Sequence, residues 1–159
     1  MKYWLLKTEP SQFSFDDLWK SKTKTTGWDE VRNYQARNLM RDDMKVGDLA
    51  FFYHSSAVPT GIAGIVEVVS GAETDPTQFD KKNEMGYDPK SKRENPTWIQ
   101  VQVRAMKPFP KLLELSDIRK LKGVEKMVLV QRGSRLSVQP VTAAEWGVLC
   151  KAAGVGPSR

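Results

Sequence analysis

Between Thr97 and Met106 the chain reads TWIQVQVRAM, and its side chains alternate without a break. Ile99, Val101, Val103 and Ala105 fall on one face, and Trp98, Gln100, Gln102 and Arg104 on the other. A period of two over that length specifies a strand with one face on a core, so the fold must contain a sheet. YWLLK at 3–7, LAFFYH at 49–54, GIAGIVEVVS at 61–70 and LSVQPV at 136–141 supply neighbouring strands, being rich in β-branched and aromatic residues.

Short helical signals stand between these stretches. Ser14 with Asp17 forms an acidic variant of the capping box, Asp75 and Pro76 open a helical turn, and Thr142 with Glu145 caps a final helix that Gly154 ends. The segment 112–130 predicts two short helices, the first entered at Ser116, separated by Gly123. Residues 22–30 read as a loop, and 80–96 as the longest polar loop. Strands and helices interleave irregularly, unlike a doubly wound sheet. The expected class is therefore α+β, a small mixed or mostly antiparallel β-barrel of five or six strands with peripheral short helices. A chain of 159 residues can bury one substantial core, which predicts a single domain over 1–154 and a frayed tail over 155–159.

The net charge of +6 and a pI of about 9.4 favour polyanionic partners. Part of the excess is local: Arg104 to Lys126 holds seven basic residues against three acidic ones. One cysteine, Cys150, and one histidine, His54, exclude an internal disulfide and a thiolate or imidazole zinc cluster. Cys150, near Trp146 and Leu149, has the company of a core residue. No apolar run approaches the roughly 20 residues that span a bilayer. The start, MKYWLLKTEP, meets an acid and a proline too early for a signal peptide. The expected location is the cytosol, or the nucleus in a eukaryote, with no membrane partner.

Enzyme signatures are missing. G-x-S-x-G, the phosphate-loop and dinucleotide glycine patterns and H-E-x-x-H do not occur, and no cofactor is implied. The paired acids Asp16/Asp17 and Asp42/Asp43 point about 100° apart on helical segments, which suits solvent-facing charges better than an acid/base pair. A binding module is the expected class.

The aromatic residues suggest what it binds. In VRNYQARNLMR, at 31–41, Ala36, Leu39 and Met40 cluster on one side of a helix. Asn33, Tyr34, Arg37 and Arg41 fall on the other. Tyr34 and Trp98 thus sit on the polar sides of their elements, and Trp28 lies in a glycine-containing loop. Displaced rings are what a base-stacking pocket needs, each worth roughly 1–3 kcal/mol to a flat base. Asn33 could read a base edge or serve as an N-cap. Arg37 offers a donor fork, and QRGSRLSVQP at 131–140 a turn of hydroxyls and amides suited to an anion.

YWLLKTEP, WDEVRNYQARNLMR, VGDLAFFYHSS, PTWIQV and SRLSVQPVTAAEW, in this order from Tyr3 to about Trp146, resemble the EVE domain family, its stand-alone bacterial members and their eukaryotic counterparts alike. The resemblance implies a PUA-like fold, akin to the PUA and YTH domains that read RNA. It also implies a nucleic-acid partner carrying a modified base, chiefly modified cytosine in DNA or else a methylated base in RNA. The family's pocket motifs fall here on Lys7, Trp28, Asn33, Tyr34, Arg37, His54, Ser55, Trp98, Ser134, Arg135 and Ser137. In that reading Trp98 and Trp28 or Tyr34 sandwich a flipped base, Asn33, His54 and Ser55 read its edge, and Lys7, Arg37 and Arg135 hold phosphate. An aromatic, basic pocket of this kind should also capture a buffer anion near Arg37 or the 131–137 turn. Two alternatives are an enzyme or binder acting on a nucleotide or small anion, with His54 as general base, and an RNA-binding accessory protein without modification preference, driven by the 104–126 stretch.

Overall fold

The computed structural model describes residues 1–156. Seven strands form one sheet: β1 (Tyr3–Thr8), β2 (Thr25–Trp28), β3 (Leu49–His54), β4 (Gly61–Val68), β5 (Glu73–Thr74), β6 (Ile99–Glu114) and β7 (Val138–Val141). The spatial order is β2-β6-β4-β3-β1-β7, with β5 also paired to β6. Among the described residues only β1 and β3 run parallel, from Tyr3 opposite Leu49 to Thr8 opposite His54. The α+β, PUA-like class expected from sequence is the one observed, with seven strands where five or six were expected.

The added strands, β2 and the two-residue β5, and the far half of β6 are those whose sequences hide them. β2 falls in the stretch read as a loop, because four residues including Gly27 are too few to show a period; pairing with Arg104 to Val101 of β6 makes it a strand. β6 continues through Pro108 and Pro110 to Glu114, into residues read as helical. Proline cannot donate to a ladder. The register between β4 and β6 shifts twice along this half, and those bulges let the strand bend with its prolines in it.

Four α-helices among the described residues decorate the sheet: α1 (Phe15–Lys20), α2 (Tyr34–Asn38), α3 (Leu115–Ile118) and α4 (Ala143–Ala153). The capping boxes at Ser14 and Thr142 both form. One turn of wider π-helix, Leu39–Asp43, extends α2, and fully buried Ala36 and Met40 mark its core side. Gly154 takes a left-handed conformation at φ 76°, and the Val155 amide donates to the Cys150 carbonyl at 3.0 Å. This closure folds Val155 into the core, so the tail expected to fray from 155 is anchored there; the rest of that expectation, 157–159, lies outside the described residues.

Alternation along the strands divides the interior in two. Trp4, Leu6, Ala50 and Phe52 pack with Trp28, Ala36 and Met40 on one face. Leu5, Phe51 and Tyr53 pack with Trp146, Leu149 and Cys150 on the other. Covering on both faces explains the nearly continuous apolar run LAFFYH. Burial also pushes the Cys150 thiol up to about 11, which keeps it inert.

Candidate nucleic-acid interface

Because β1 and β3 end side by side at Thr8 and His54, two chain segments leave the sheet at one point, and a cleft of about 750 Å³ opens there. Lys7 and Thr8 come from β1, Thr26 to Trp28 from β2, and Ser55 and Ser56 from the turn after β3. Asp29 to Val31 and Ser134, Arg135 and Ser137 complete most of the wall, with Phe13 and Met85 at the rim. The Lys7 amide donates to the Ser137 carbonyl at 2.9 Å, fixing the 134–137 turn against β1.

Two aromatic rings line the cleft, and both lean on Phe52. Trp28 meets it edge-on at 5.3 Å between centroids, and Phe13 lies tilted at 6.5 Å. Trp28 is only 7% exposed, so its outward part is set by the core beneath it. The cations are Lys7 and Arg135. Burial lowers the Lys7 pKa from its ordinary value, while Arg135 has no ion-pair partner among the described residues. Against them stand Glu9, Asp29 and Glu30, so the lining is mixed in charge rather than simply basic.

The floor is built with local strain. Glu30 and Ser56, both in the lining, hold left-handed backbones at φ 60° and 53°. Such conformations cost a non-glycine residue about 1–3 kcal/mol and persist only where neighbours enforce them. For Glu30 the enforcement comes from fully buried Asp75, whose Oδ2 accepts from the Glu30 amide at 2.9 Å and from Arg32 Nη1 at 2.9 Å. Its Oδ1 accepts from the Thr77 amide at 2.7 Å and hydroxyl at 2.6 Å. Arg32 also donates to the Gly86 carbonyl, and Asn83 donates to the Glu30 carboxylate at 2.9 Å. The long polar loop is thereby tied to the cleft.

Six of the eleven residues singled out from sequence line this cleft: Lys7, Trp28, Ser55, Ser134, Arg135 and Ser137. Five lie outside its lining. Asn33 takes the alternative role of N-cap, its Oδ1 accepting from the Ala36 amide at 3.0 Å. His54 Nε2 accepts from the Phe15 amide at 3.1 Å, so the nitrogen a general base would need is engaged at the start of α1. Burial lowers its pKa, opposed by Asp17. Trp98 is 5% exposed; its indole donates to Asp88 at 2.8 Å, its ring faces Tyr34 at 4.9 Å, and the Arg32 guanidinium lies 5.2 Å from it. Arg37 packs over Tyr34 at 4.8 Å and donates to the Thr97 carbonyl and Asn38. These three form a second aromatic and cationic cluster, with Tyr34 60% exposed. Sequence reasoning missed Phe13, Asp29 and Glu30. Only the neighbouring position of Asp29 to Trp28 signalled any of them.

Asp29 is the most perturbed acid here. Although the residue as a whole is exposed, its pKa is pushed up to about 6, first by desolvation and then by the nearby charges of Glu30 and Asp75, with Arg32 pulling the other way. No other residue donates a hydrogen bond to its carboxyl among the described residues. The cleft therefore combines a ring face, two cations, hydroxyls and a carboxyl near neutrality, a set that suits a flat polar ring attached to a phosphate.

Comparison with known proteins agrees on a lineage. Thymocyte nuclear protein 1 of Danio rerio is 44% identical over 160 residues, covering 90% of this chain and 68% of that protein. A structure of human THYN1 in complex with 5-methylcytosine-containing DNA superposes with a TM-score of 0.88 at 39% identity, covering 96% of this chain and 98% of that one. A Pseudomonas syringae protein, PSPTO5229, superposes with a TM-score of 0.89 at 42% identity, covering 95% and 99%. The model of the EVE domain matches residues 2–152, and by that match this chain belongs to the EVE domain family.

Proposed function

We propose that this chain is a nucleic-acid binding module that holds one modified base, 5-methylcytosine foremost, in the cleft between β1, β2 and the 134–137 turn. The observation that carries this is the conjunction of that cleft with a 39% identical relative solved on 5-methylcytosine-containing DNA. Trp28 supplies the stacking face, Ser55, Ser134 and Ser137 meet the polar edges, and Lys7 and Arg135 hold the flanking phosphates. Asn33 and His54 act indirectly, by capping α2 and anchoring α1. Tyr34, Arg37 and Trp98 face an adjacent part of the strand. The base must leave its stack, at a cost of a few kcal/mol, which makes single strands the easier ligands. The module has no catalytic role in this reading.

The test is titration at fixed low salt into matched DNA and RNA oligonucleotides, single and double stranded, with and without methylated cytosine. The methylated strand should bind at least about tenfold tighter, equivalent to about 1.4 kcal/mol. Trp28→Phe should erode that preference, and Arg135→Ala should lower the salt slope by about one phosphate contact without changing it. Equal binding of every strand would sink the proposal.

A further inference from the structure

Asp29 occupies an unusual position in the cleft. It follows the stacking residue Trp28 directly, where β2 ends, and precedes Glu30, whose left-handed backbone is pinned by the buried Asp75 carboxylate. The other two acids of the lining have partners: Glu30 accepts from Asn83, and Glu9 accepts from Gln12 at 3.4 Å. The Asp29 carboxyl is hydrogen-bonded by its own backbone and by no other residue among those described, so it alone of the three is left to meet whatever enters. Strain in the next residue holds it there, and strain maintained by a buried network marks a position the fold is organised to fix.

The groups facing it decide its chemistry. Glu30 and Asp75 crowd it with negative charge from the same segment and from the start of the 3-10 turn at Pro76–Phe79, while Arg32 opposes them. Lys7, Glu9 and Arg135 line the rest of the cleft. An ionised carboxyl presents two acceptors. The edge of cytosine presents a ring nitrogen acceptor, N3, beside an amino donor, so a carboxylate meets one and repels the other. A neutral carboxylic acid presents one donor and one acceptor side by side and satisfies both.

We propose that Asp29 is the specificity-determining residue of this cleft, pairing as a neutral acid with an aminopyrimidine base, its O–H donating to N3 and its carbonyl oxygen accepting from the N4 amino group. Thymine or uracil can also meet both positions, through O4 and N3–H, but O4 is far less basic than the cytosine ring nitrogen and takes the weaker hydrogen bond from the acid O–H, so the pair favours cytosine and its 5-methyl form. No bond is made or broken. At neutral pH, binding takes up one proton from solvent, which stays on Asp29. This inference rests on the base-binding reading of the cleft and adds the group that chooses the base.

The experiment measures anisotropy of a labelled single-stranded oligonucleotide carrying one 5-methylcytosine at pH 5.5 and pH 7.5. Strands with thymine or an abasic site at that position are compared, using wild type, Asp29→Asn and Asp29→Ala. For a group titrating at about 6, the neutral fraction and hence the wild-type affinity should rise about 25-fold on acidification from pH 7.5 to 5.5. Asp29→Asn, whose amide keeps a donor beside an acceptor, should bind with little pH dependence and at pH 7.5 no more weakly than wild type. Asp29→Ala should lose the preference over thymine. If methylcytosine binds more tightly than the abasic strand but equally at both pH values, or if Asp29→Asn loses binding as Asp29→Ala does, the neutral-acid pair is overturned and base reading stands. If the methylcytosine and abasic strands bind alike, base reading fails, and the pair with it.

Discussion

Replacing Asp75 with alanine should be among the most damaging single changes this protein can suffer, although residue 75 stands behind the cleft and is not itself part of its lining. The carboxylate is fully buried and collects four donors: the Glu30 and Thr77 amides, the Thr77 hydroxyl and Arg32. Arg32 itself is 20% exposed and keeps the Gly86 carbonyl and Thr77 as partners, so the orphaned guanidinium is only partly compensated. Removing one side of a buried pair costs about 3–5 kcal/mol. Two partly buried amides left unpaired cost further, but the sites share one relaxation and their costs do not add. A loss of about 4 kcal/mol is expected, a large part of the 5–15 kcal/mol typical of a domain. At this chain length that lowers the melting temperature by roughly 8–16 °C. Asp75→Asn should lose somewhat less, because its amide oxygen can still serve Thr77 while its NH2 faces the Glu30 and Arg32 donors. Urea unfolding followed by tryptophan fluorescence, with melting curves alongside, gives the number. A loss under about 1 kcal/mol would refute the view that Asp75 pins Glu30 and the long loop.

Three further outcomes follow from the same contacts. Asp29 has a pKa raised to about 6, above its unfolded value, so the stability it confers is present at low pH and lost as pH rises from about 4 through 6. Asp29→Asn should therefore melt higher than wild type at pH 7.5 and no higher at pH 4, by differential scanning calorimetry. His54 has the opposite sign: its pKa is lowered, so its contribution is present above about 6.5 and lost on acidification, when Nε2 can no longer accept from Phe15. In the Asp29→Asn background the melting temperature should fall between pH 7 and 5, and His54→Gln should flatten that fall. Gly64→Ala should destabilise strongly, because a Cβ there would stand 2.5 Å from the Phe15 ring and 2.8 Å from the Lys107 carbonyl oxygen. Unchanged urea midpoints would show that β4 and β6 can separate more easily than their packing implies.

The elements that carry their own pattern were legible: the alternation at Ile99 to Ala105, the caps at Ser14 and Thr142, and the Ala36–Met40 face. What stayed hidden depends on partners distant in sequence. Thr25 to Trp28 becomes a strand only through β6, and the proline-bearing half of β6 is held by the shifted register of β4. In the cleft, the family motifs brought six of the lining residues to attention. Periodicity correctly marked Tyr34 and Trp98 as facing away from the core of their own elements. It could not reveal that the two rings would meet each other and arginines from α2 and the segment before it, leaving Trp98 buried and Tyr34 largely exposed. Asp29 was illegible for a related reason. Its abnormal acidity comes partly from Asp75, which the chain returns to the site only after three intervening strands.

The ladder of strands begins at β2 and ends at β7, and no hydrogen bonds join those two among the described residues. The cleft lies between β2, with Thr26 to Trp28, and the turn that leads into β7, with Ser134 to Ser137. It is therefore the seam of a curled sheet, and a ligand seated there acts as a rivet across it. Occupancy should slow hydrogen exchange most in β2 and β7, the terminal strands, and raise the whole domain's stability by RT ln(1 + [L]/Kd). A nucleic acid held in the cleft would thus also serve as the missing rung that closes the barrel.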